Sequence, residues 1–196
     1  MNKTKRAFEL ANMRHEGQVR KDNSPYFQHP LRVMANIMQF KQSSHLDELL
    51  AAALLHDALE DTYTSYRELE EMFGPMVAGI VMECTTNDSV CKQMGKEDYL
   101  KEKMNAMSRY GLTVKLADRL DNVQDLGKFK YEKAKSKVKE TEGIMNHLIE
   151  VRTEEKMNEA SIDMIREILR ITAEWKKLHS SSKYVRIITE QTSDGS

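Results

Sequence analysis

Two histidines and a short set of carboxylates carry most of the chemistry this sequence can do. The stretch Leu49 to Leu55 is apolar without a break and ends in His56-Asp57, with Glu60, Asp61 and Thr62 close behind. Read as one continuous helix, it places His56 over Glu60 and Asp57 over Asp61, because residues four apart share a face. Charge at the end of a buried run is costly unless something compensates it. A divalent cation is well suited to an imidazole–carboxylate set. His29 and Asp118 are candidates for the same ion. His29 precedes Pro30 at a helix boundary, and Asp118 lies between Leu116-Ala117 and Leu120, in a stretch that otherwise belongs in a core. Each has an ordinary reading alone: a histidine before a proline starts a helix, a buried aspartate beside Arg119 makes an ion pair, and a His-Asp dipeptide arises by chance. Their co-occurrence favours a metal centre of His29, His56, Asp57 and Asp118. Such a donor set suits Mn²⁺ or Fe²⁺ and is compatible with Zn²⁺.

Composition narrows the class. Hydrophobic residues are 40% and charged residues 31% of 196, which suits a globular chain with a full core. Only 8 Gly and 3 Pro favour helix over turn-rich β structure. The formal net charge of -1 provides no global field toward nucleic acid or a membrane, so an anion site must be local. Arg20-Lys21, in a polar loop with Gly17, is the best local candidate, although an ordinary basic loop reads the same way. Planar arginine can hold phosphate bidentately or stack on a base. Cys84 and Cys91 are too few for a structural zinc site and read as reduced thiols. Residues 1–6 contain no apolar signal core, and Leu49 to Leu55 falls far short of the ~20 residues a bilayer needs. The expected location is cytoplasmic.

The elements that must position these residues follow from periodicity. Residues 3–14 predict a helix, His15 to Gln28 a loop, and Pro30 to about Phe40 a second helix. A third helix opens near Ser43-Ser44 and runs through Asp57. Thr64-Ser65 caps a short helix from Tyr66 to Phe73; Gly74-Pro75 breaks it, and Met76 to Cys84 follows. Asn87 to Gly95 predicts a loop, and Glu97 to Ser108 a charged helix. Gly111 is expected to interrupt, before an amphipathic helix from Leu112 to Leu126. Tyr131 to Arg152 and Ala160 to Leu178 are long charged helices with apolar stripes, read as core more than as interface. They could cover the site, mediate a homo-oligomer or dock a partner. Tyr184-Val185-Arg186-Ile187-Ile188 could be a strand, a helix end or a docked tail. The expectation is an all-α chain of about eight to ten helices, with a single domain over residues 1–178 and a tail over 179–196.

Three blocks carry a resemblance. They are His29-Pro30, then His56-Asp57-x-x-Glu60-Asp61-Thr62, then Lys115-Leu116-Ala117-Asp118-Arg119-Leu120-x-Asn122. In this order they resemble the HD superfamily of metal-dependent phosphohydrolases, and within it the hydrolase domain of the RelA/SpoT family. His15-x-Gly17-Gln18-x-Arg20-Lys21, Pro25-Tyr26-x-x-His29-Pro30 and Phe73-Gly74-x-x-Val77-Ala78-x-x-Val81 are similar too. Size and layout resemble the small stand-alone alarmone hydrolases of metazoan type, over roughly residues 3–128. The resemblance implies an HD-domain helical bundle with one Mn²⁺ on His29, His56, Asp57 and Asp118. It implies Glu60 and Asp61 as the pair that handles the attacking water, Asn122 near the substrate, and Arg20 and Lys21 near phosphate or base. A carboxylate beside that water could contribute ~10²–10⁴ in rate; the ordinary reading of Glu60-Asp61 is a solvated helix end. The reaction implied is hydrolysis of the 3′-pyrophosphate of (p)ppGpp. Alternatives are another phosphohydrolase activity, such as removal of the 2′-phosphate of NADPH, or a nucleotide-sensing module without turnover.

The chain departs from the family in two places. Asp121 stands where a histidine or aromatic residue is usual; a carboxylate there cannot stack on guanine and would repel phosphate if it faced the site. The loop Asp22-Asn23-Ser24-Pro25 lacks the glycine often found there. Lys115 and Arg119, four apart, read as a surface pair, a snorkelling rim or phosphate contacts.

Overall fold

The fold is built on two helices that carry the site residues through the middle of the core. The structure is a computed structural model and describes residues 2–152 and 156–180. The helices are α1 Lys3–Arg14, α2 Gln28–Phe40, α3 Leu46–Leu55, α4 Ala58–Asp61, α5 Tyr66–Phe73, α6 Pro75–Cys84, α7 Asp88–Met94, α8 Lys96–Ala106, α9 Arg109–Gln124, α10 Tyr131–Val151 and α11 Glu159–Ser180, with a 3₁₀ turn at Leu126–Lys128. Among the described residues nine helices have eight residues or more, and extended pairing is limited to an isolated bridge between Val19 and Pro25. The all-α expectation therefore holds. The stretch Tyr184 to Ile188 lies outside the described residues.

α3 is the centre of the first half. Every residue from Leu49 to Leu55 is buried, as a helix apolar on all sides must be. It packs against α1, α2, α6 and α9. α9 is the second axis and touches α2, α3, α6, α10 and α11. A fully buried leucine contributes about 1.5–3 kcal/mol, so Leu49, Leu54, Leu55, Leu112, Leu116 and Leu120 make this crossing the strongest part of the core. One apolar cluster runs from Ala7 on α1 to Ile168 on α11. The stripes of α10 and α11 join it through Ile144, Leu148, Ile165 and Ile168, while Val151 is exposed.

Several local expectations change. The Asn87–Gly95 stretch is not a loop: the Asn87 side chain accepts from Val90 N at 3.1 Å and caps α7. Gly111 does not interrupt a helix. It sits in the first turn of α9, where a Cβ would collide with the Glu83 carboxylate that also binds Ser108 Oγ at 2.8 Å. Asn23, in the loop that lacks the family's usual glycine, adopts φ 62, the left-handed conformation that asparagine tolerates. The helix expected to run through Asp57 ends at Leu55. There the His56 ring Nδ1 donates to Ala53 O at 2.8 Å, and the backbone restarts as α4.

Candidate metal centre and adjoining pocket

Three elements converge. His29 comes from the first turn of α2, His56 and Asp57 from the break between α3 and α4, and Asp118 from the middle of α9. His29 Nε2 lies 3.3 Å from Asp118 Oδ1 and 3.7 Å from Asp57 Oδ2. His56 Nε2 lies 3.0 Å from Asp57 Oδ2 and 3.9 Å from Asp118 Oδ1. Donor atoms of His29, His56 and Asp118 all fall within 4.8 Å of one another. All four residues expected to meet at one ion do come together.

The donor chemistry fits a divalent cation. Ala53 O can only accept, so His56 carries its proton on Nδ1 and its Nε2 lone pair is bare. That nitrogen is buried and has no hydrogen-bond partner. An orphaned lone pair aimed at two carboxylates is costly unless a cation takes it. Burial works against charge on Asp57 and Asp118, but it is outweighed. Cationic neighbours hold both carboxyls well below the usual carboxylate range, Lys115 acting on Asp57 and Lys115 with His29 on Asp118. Burial alone would pull His29 down; Asp118 and Asp121 instead push it up to about 9.

Lys115 is a correction to the sequence reading. It is neither a surface pair nor a rim residue: its side chain is 12% exposed and its Nζ lies 3.0 Å from Asp118 Oδ2. Arg119 is buried too and binds Glu140 Oε1 at 2.8 Å, tying α9 to α10. Asp121 is a second correction. Its side chain is 0% exposed and turns inward, with Oδ2 2.6 Å from His29 Nδ1. It does not face a substrate.

The other expected residues divide. Asn122 Nδ2 donates to Asp118 Oδ1 at 2.7 Å, beside the metal-facing atoms. Asp61 is linked to the cluster through Tyr26, whose hydroxyl donates to Asp57 and lies 3.2 Å from Asp61 Oδ2. Gln18 Nε2 holds Asp61 O at 2.9 Å from a loop that turns at Gly17, φ 76. Glu60 is not drawn to the cluster: it is exposed, and its Oε2 accepts from Thr86 N at 2.8 Å. Arg20 reaches Asp121 Oδ2 at 3.3 Å and Asp125 Oδ2 at 3.4 Å, so both ends of its guanidinium are engaged. Lys21 is exposed at the same rim.

Beside the cluster opens a cavity of about 530 Å³ lined by Arg20, Lys21, Tyr26 and Asn122. Its far wall, Lys96, Phe129, Lys133 and Lys137, comes from α8, α10 and the turn before α10. Lys128 is neutralised there by Asp22 and Asp125, at 3.2 and 2.9 Å, and Lys96 by Glu140 at 3.3 Å. Among the described residues Lys21, Lys133 and Lys137 make no ion pair. Lys133 and Lys137 lie 4.9 and 5.0 Å from the Phe129 ring centre. The Lys21 ammonium, followed by burial and by Lys137 and Lys96, pulls the Lys133 pKa down. Crowded, unpaired ammonium groups beside a metal-fitting cluster make a site for a polyanion. Sequence reasoning missed Tyr26, Lys96, Lys133 and Lys137. The available signals were the place of Tyr26 in the His29 motif and the four-residue spacing of Lys133 and Lys137.

A guanosine-3′,5′-bis(diphosphate) 3′-pyrophosphohydrolase of Aquifex aeolicus is 41% identical over 138 residues, covering 69% of this chain and 19% of that protein. The Drosophila melanogaster protein of the same name is 38% identical over 120 residues, 60% of this chain and 66% of its own length. The bifunctional (p)ppGpp synthase/hydrolase SpoT of Escherichia coli is 33% identical over 147 residues, 72% and 20%. The chain thus spans about a fifth of the bacterial relatives and two thirds of the fly protein. A solved metazoan ortholog of SpoT, described as hydrolysing ppGpp, superposes with a TM-score of 0.70 at 28% identity, over 86% of this chain and 94% of that one. The family description "HD domain" matches residues 7–153, well over half the sequence, and on that ground this chain belongs to the HD domain family.

Proposed function

We propose that the chain is a divalent-metal-dependent hydrolase that removes the 3′-pyrophosphate of ppGpp and pppGpp, giving GDP or GTP and pyrophosphate. The observation that carries this reading is the orphaned Nε2 of His56, set between two carboxylates at the edge of a cationic cavity. The relatives named for this reaction support the choice of substrate. The inward turn of Asp121 supports it too, because no carboxylate from that position faces the cavity.

His29, His56, Asp57 and Asp118 would hold the ion, with Mn²⁺ our assignment and Fe²⁺ or Zn²⁺ compatible. When bound, it supplies charge withdrawal from a phosphoryl oxygen and a lowered pKa for water. His56 keeps its proton on the Ala53 side and so presents only a lone pair to the site. Asn122 and Lys115 grip opposite oxygens of Asp118 and fix its rotamer. The Tyr26 hydroxyl holds Asp57 and leaves Asp61 within reach of the attacking water. Asp61 takes that water's proton, while Glu60 stays on Thr86 N. The water oxygen bonds to the phosphorus next to the ribose, the P–O3′ bond breaks, and the 3′ oxygen gains a proton as the nucleoside diphosphate or triphosphate leaves. Lys21, Lys133 and Lys137 neutralise the polyphosphate charge, with Arg20 positioned behind them.

The test is a nucleotide panel with Mn²⁺ or with EDTA. Metal-dependent pyrophosphate release from ppGpp is the expected result. Orthophosphate from NADPH with ppGpp untouched, or tight binding without product, would overturn the assignment.

A further inference from the structure

The buried carboxylate of Asp121 does more than fill the place of a ring. Its Oδ2 lies 2.6 Å from His29 Nδ1 and 3.3 Å from Arg20 Nη1, and accepts from Arg32 Nη2 at 3.1 Å. Its Oδ1 accepts from Arg32 Nε at 2.5 Å. One turn along α9, Asp125 Oδ2 lies 3.2 Å from Arg32 and 3.4 Å from Arg20. Both arginines therefore bridge the same two aspartates. A carboxylate accepts only, so Nδ1 of His29 must be the donor, which leaves Nε2 for the cluster. An outer partner that fixes the tautomer and ring angle of a ligating histidine commonly governs metal affinity. In the same residue, the loop that supplies one wall of the cavity is tied down through Arg20.

We infer that Asp121 is a positioning residue that anchors the metal ligand His29 and the cavity residue Arg20 to one buried carboxylate, so that the metal centre and the substrate pocket share a support. The inference rests on the metal reading proposed above. Asp125 is its internal comparison, because it holds the same two arginines and does not touch His29.

The experiment measures Mn²⁺ affinity by calorimetry without substrate, and KM and kcat at saturating Mn²⁺, for Asp121→Asn and Asp125→Asn. Helical circular dichroism and urea midpoints are followed alongside. Asp121→Asn is expected to weaken Mn²⁺ binding about 10–100-fold and to raise KM. Asp125→Asn is expected to raise KM and leave the Mn²⁺ affinity of the wild type unchanged. A folded Asp121→Asn protein that binds Mn²⁺ like the wild type would overturn the inference, as would equal losses of affinity in both variants. The wild type gives an independent reading through imidazole ¹⁵N shifts with Zn²⁺ as a diamagnetic probe. His29 should be protonated at Nδ1 and ligating through Nε2; ligation through Nδ1 would contradict the assignment. A wild-type protein that takes up neither ion would overturn the proposed function itself, and this inference with it.

Discussion

Replacing Lys115 by methionine isolates how the site is held together before any ion arrives. Methionine keeps the length and apolar stem and removes the charge. Lys115 Nζ and Asp118 Oδ2 are 3.0 Å apart, with side chains 12% and 13% exposed. At an effective dielectric near 20, the direct attraction across such a distance is about 5–6 kcal/mol. Desolvation cancels much of it in the intact pair. Removing one partner is another matter, because the remaining buried charge is left uncompensated, and that typically costs about 3–5 kcal/mol. Asp57 adds a second, half-buried carboxylate nearby, which Lys115 also helps to hold ionised. Against a total stability of about 5–15 kcal/mol, the loss is large. A bound cation would supply the missing charge. The assay is urea unfolding of wild type and Lys115→Met in EDTA and in excess Mn²⁺. Ligand at a hundred times its Kd stabilises a protein by about 2.7 kcal/mol, and the variant should gain more than the wild type does. The expected pattern is a gap of about 3–5 kcal/mol in EDTA that narrows with Mn²⁺. A gap below about 1 kcal/mol in EDTA, or one that Mn²⁺ leaves unchanged, would refute the reasoning.

Three further outcomes follow from the geometry. Asp61→Asn should lower kcat about 10²–10⁴-fold with Mn²⁺ affinity intact, whereas Glu60→Gln, whose carboxylate sits on Thr86 N, should keep turnover near that of the wild type; wild-type turnover in Asp61→Asn would remove that residue from the proton-handling role. Lys133→Ala combined with Lys137→Ala should raise KM for ppGpp by about tenfold or more, since hydrogen bonds to charged groups contribute about 1.5–3 kcal/mol, and should flatten the salt dependence of KM. An unchanged KM would place the polyphosphate elsewhere. Burial pushes the Cys84 thiol up to about 12. A folded value above the unfolded one means that stability from this group is full below pH about 9 and is lost as pH climbs toward 12. Iodoacetamide at mildly alkaline pH should therefore label Cys91 and spare Cys84 until urea unfolds the chain; rapid labelling of both in the native state would contradict the burial.

Much of the helix pattern was legible because it is local. Apolar spacing and caps such as Ser65, which accepts from Glu68 N, lie within a few residues of what they specify. The ligand set was legible because each ligand is a polar residue at the edge of an apolar run. What the sequence did not disclose depends on orientation across elements. Lys115 and Asp121 lie three residues to either side of Asp118, and nothing in their spacing distinguishes a buried partner of the metal ligands from a surface or substrate contact. The role of Asp121 appears only when α2 brings His29 and Arg32 against α9, and that of Lys115 only when the helices around α9 bury its pair with Asp118. The lysines of the far wall stand on α8 and α10 and meet Lys21 only in the folded chain. Gly111 read as a breaker because its purpose, room for Glu83, lies on another helix. Glu60 was assigned a direction by assuming an unbroken helix, and the His56 ring, by taking the Ala53 carbonyl, redirects the chain there.

The central claim is that α2, the α3–α4 break and α9 close on one cation. Anomalous diffraction at the manganese edge from crystals grown with Mn²⁺ tests it most directly. One strong peak is expected, bounded by His29 Nε2, His56 Nε2 and carboxylate oxygens of Asp57 and Asp118. A peak elsewhere, or none there while His56 Nε2 meets another donor, would contradict it.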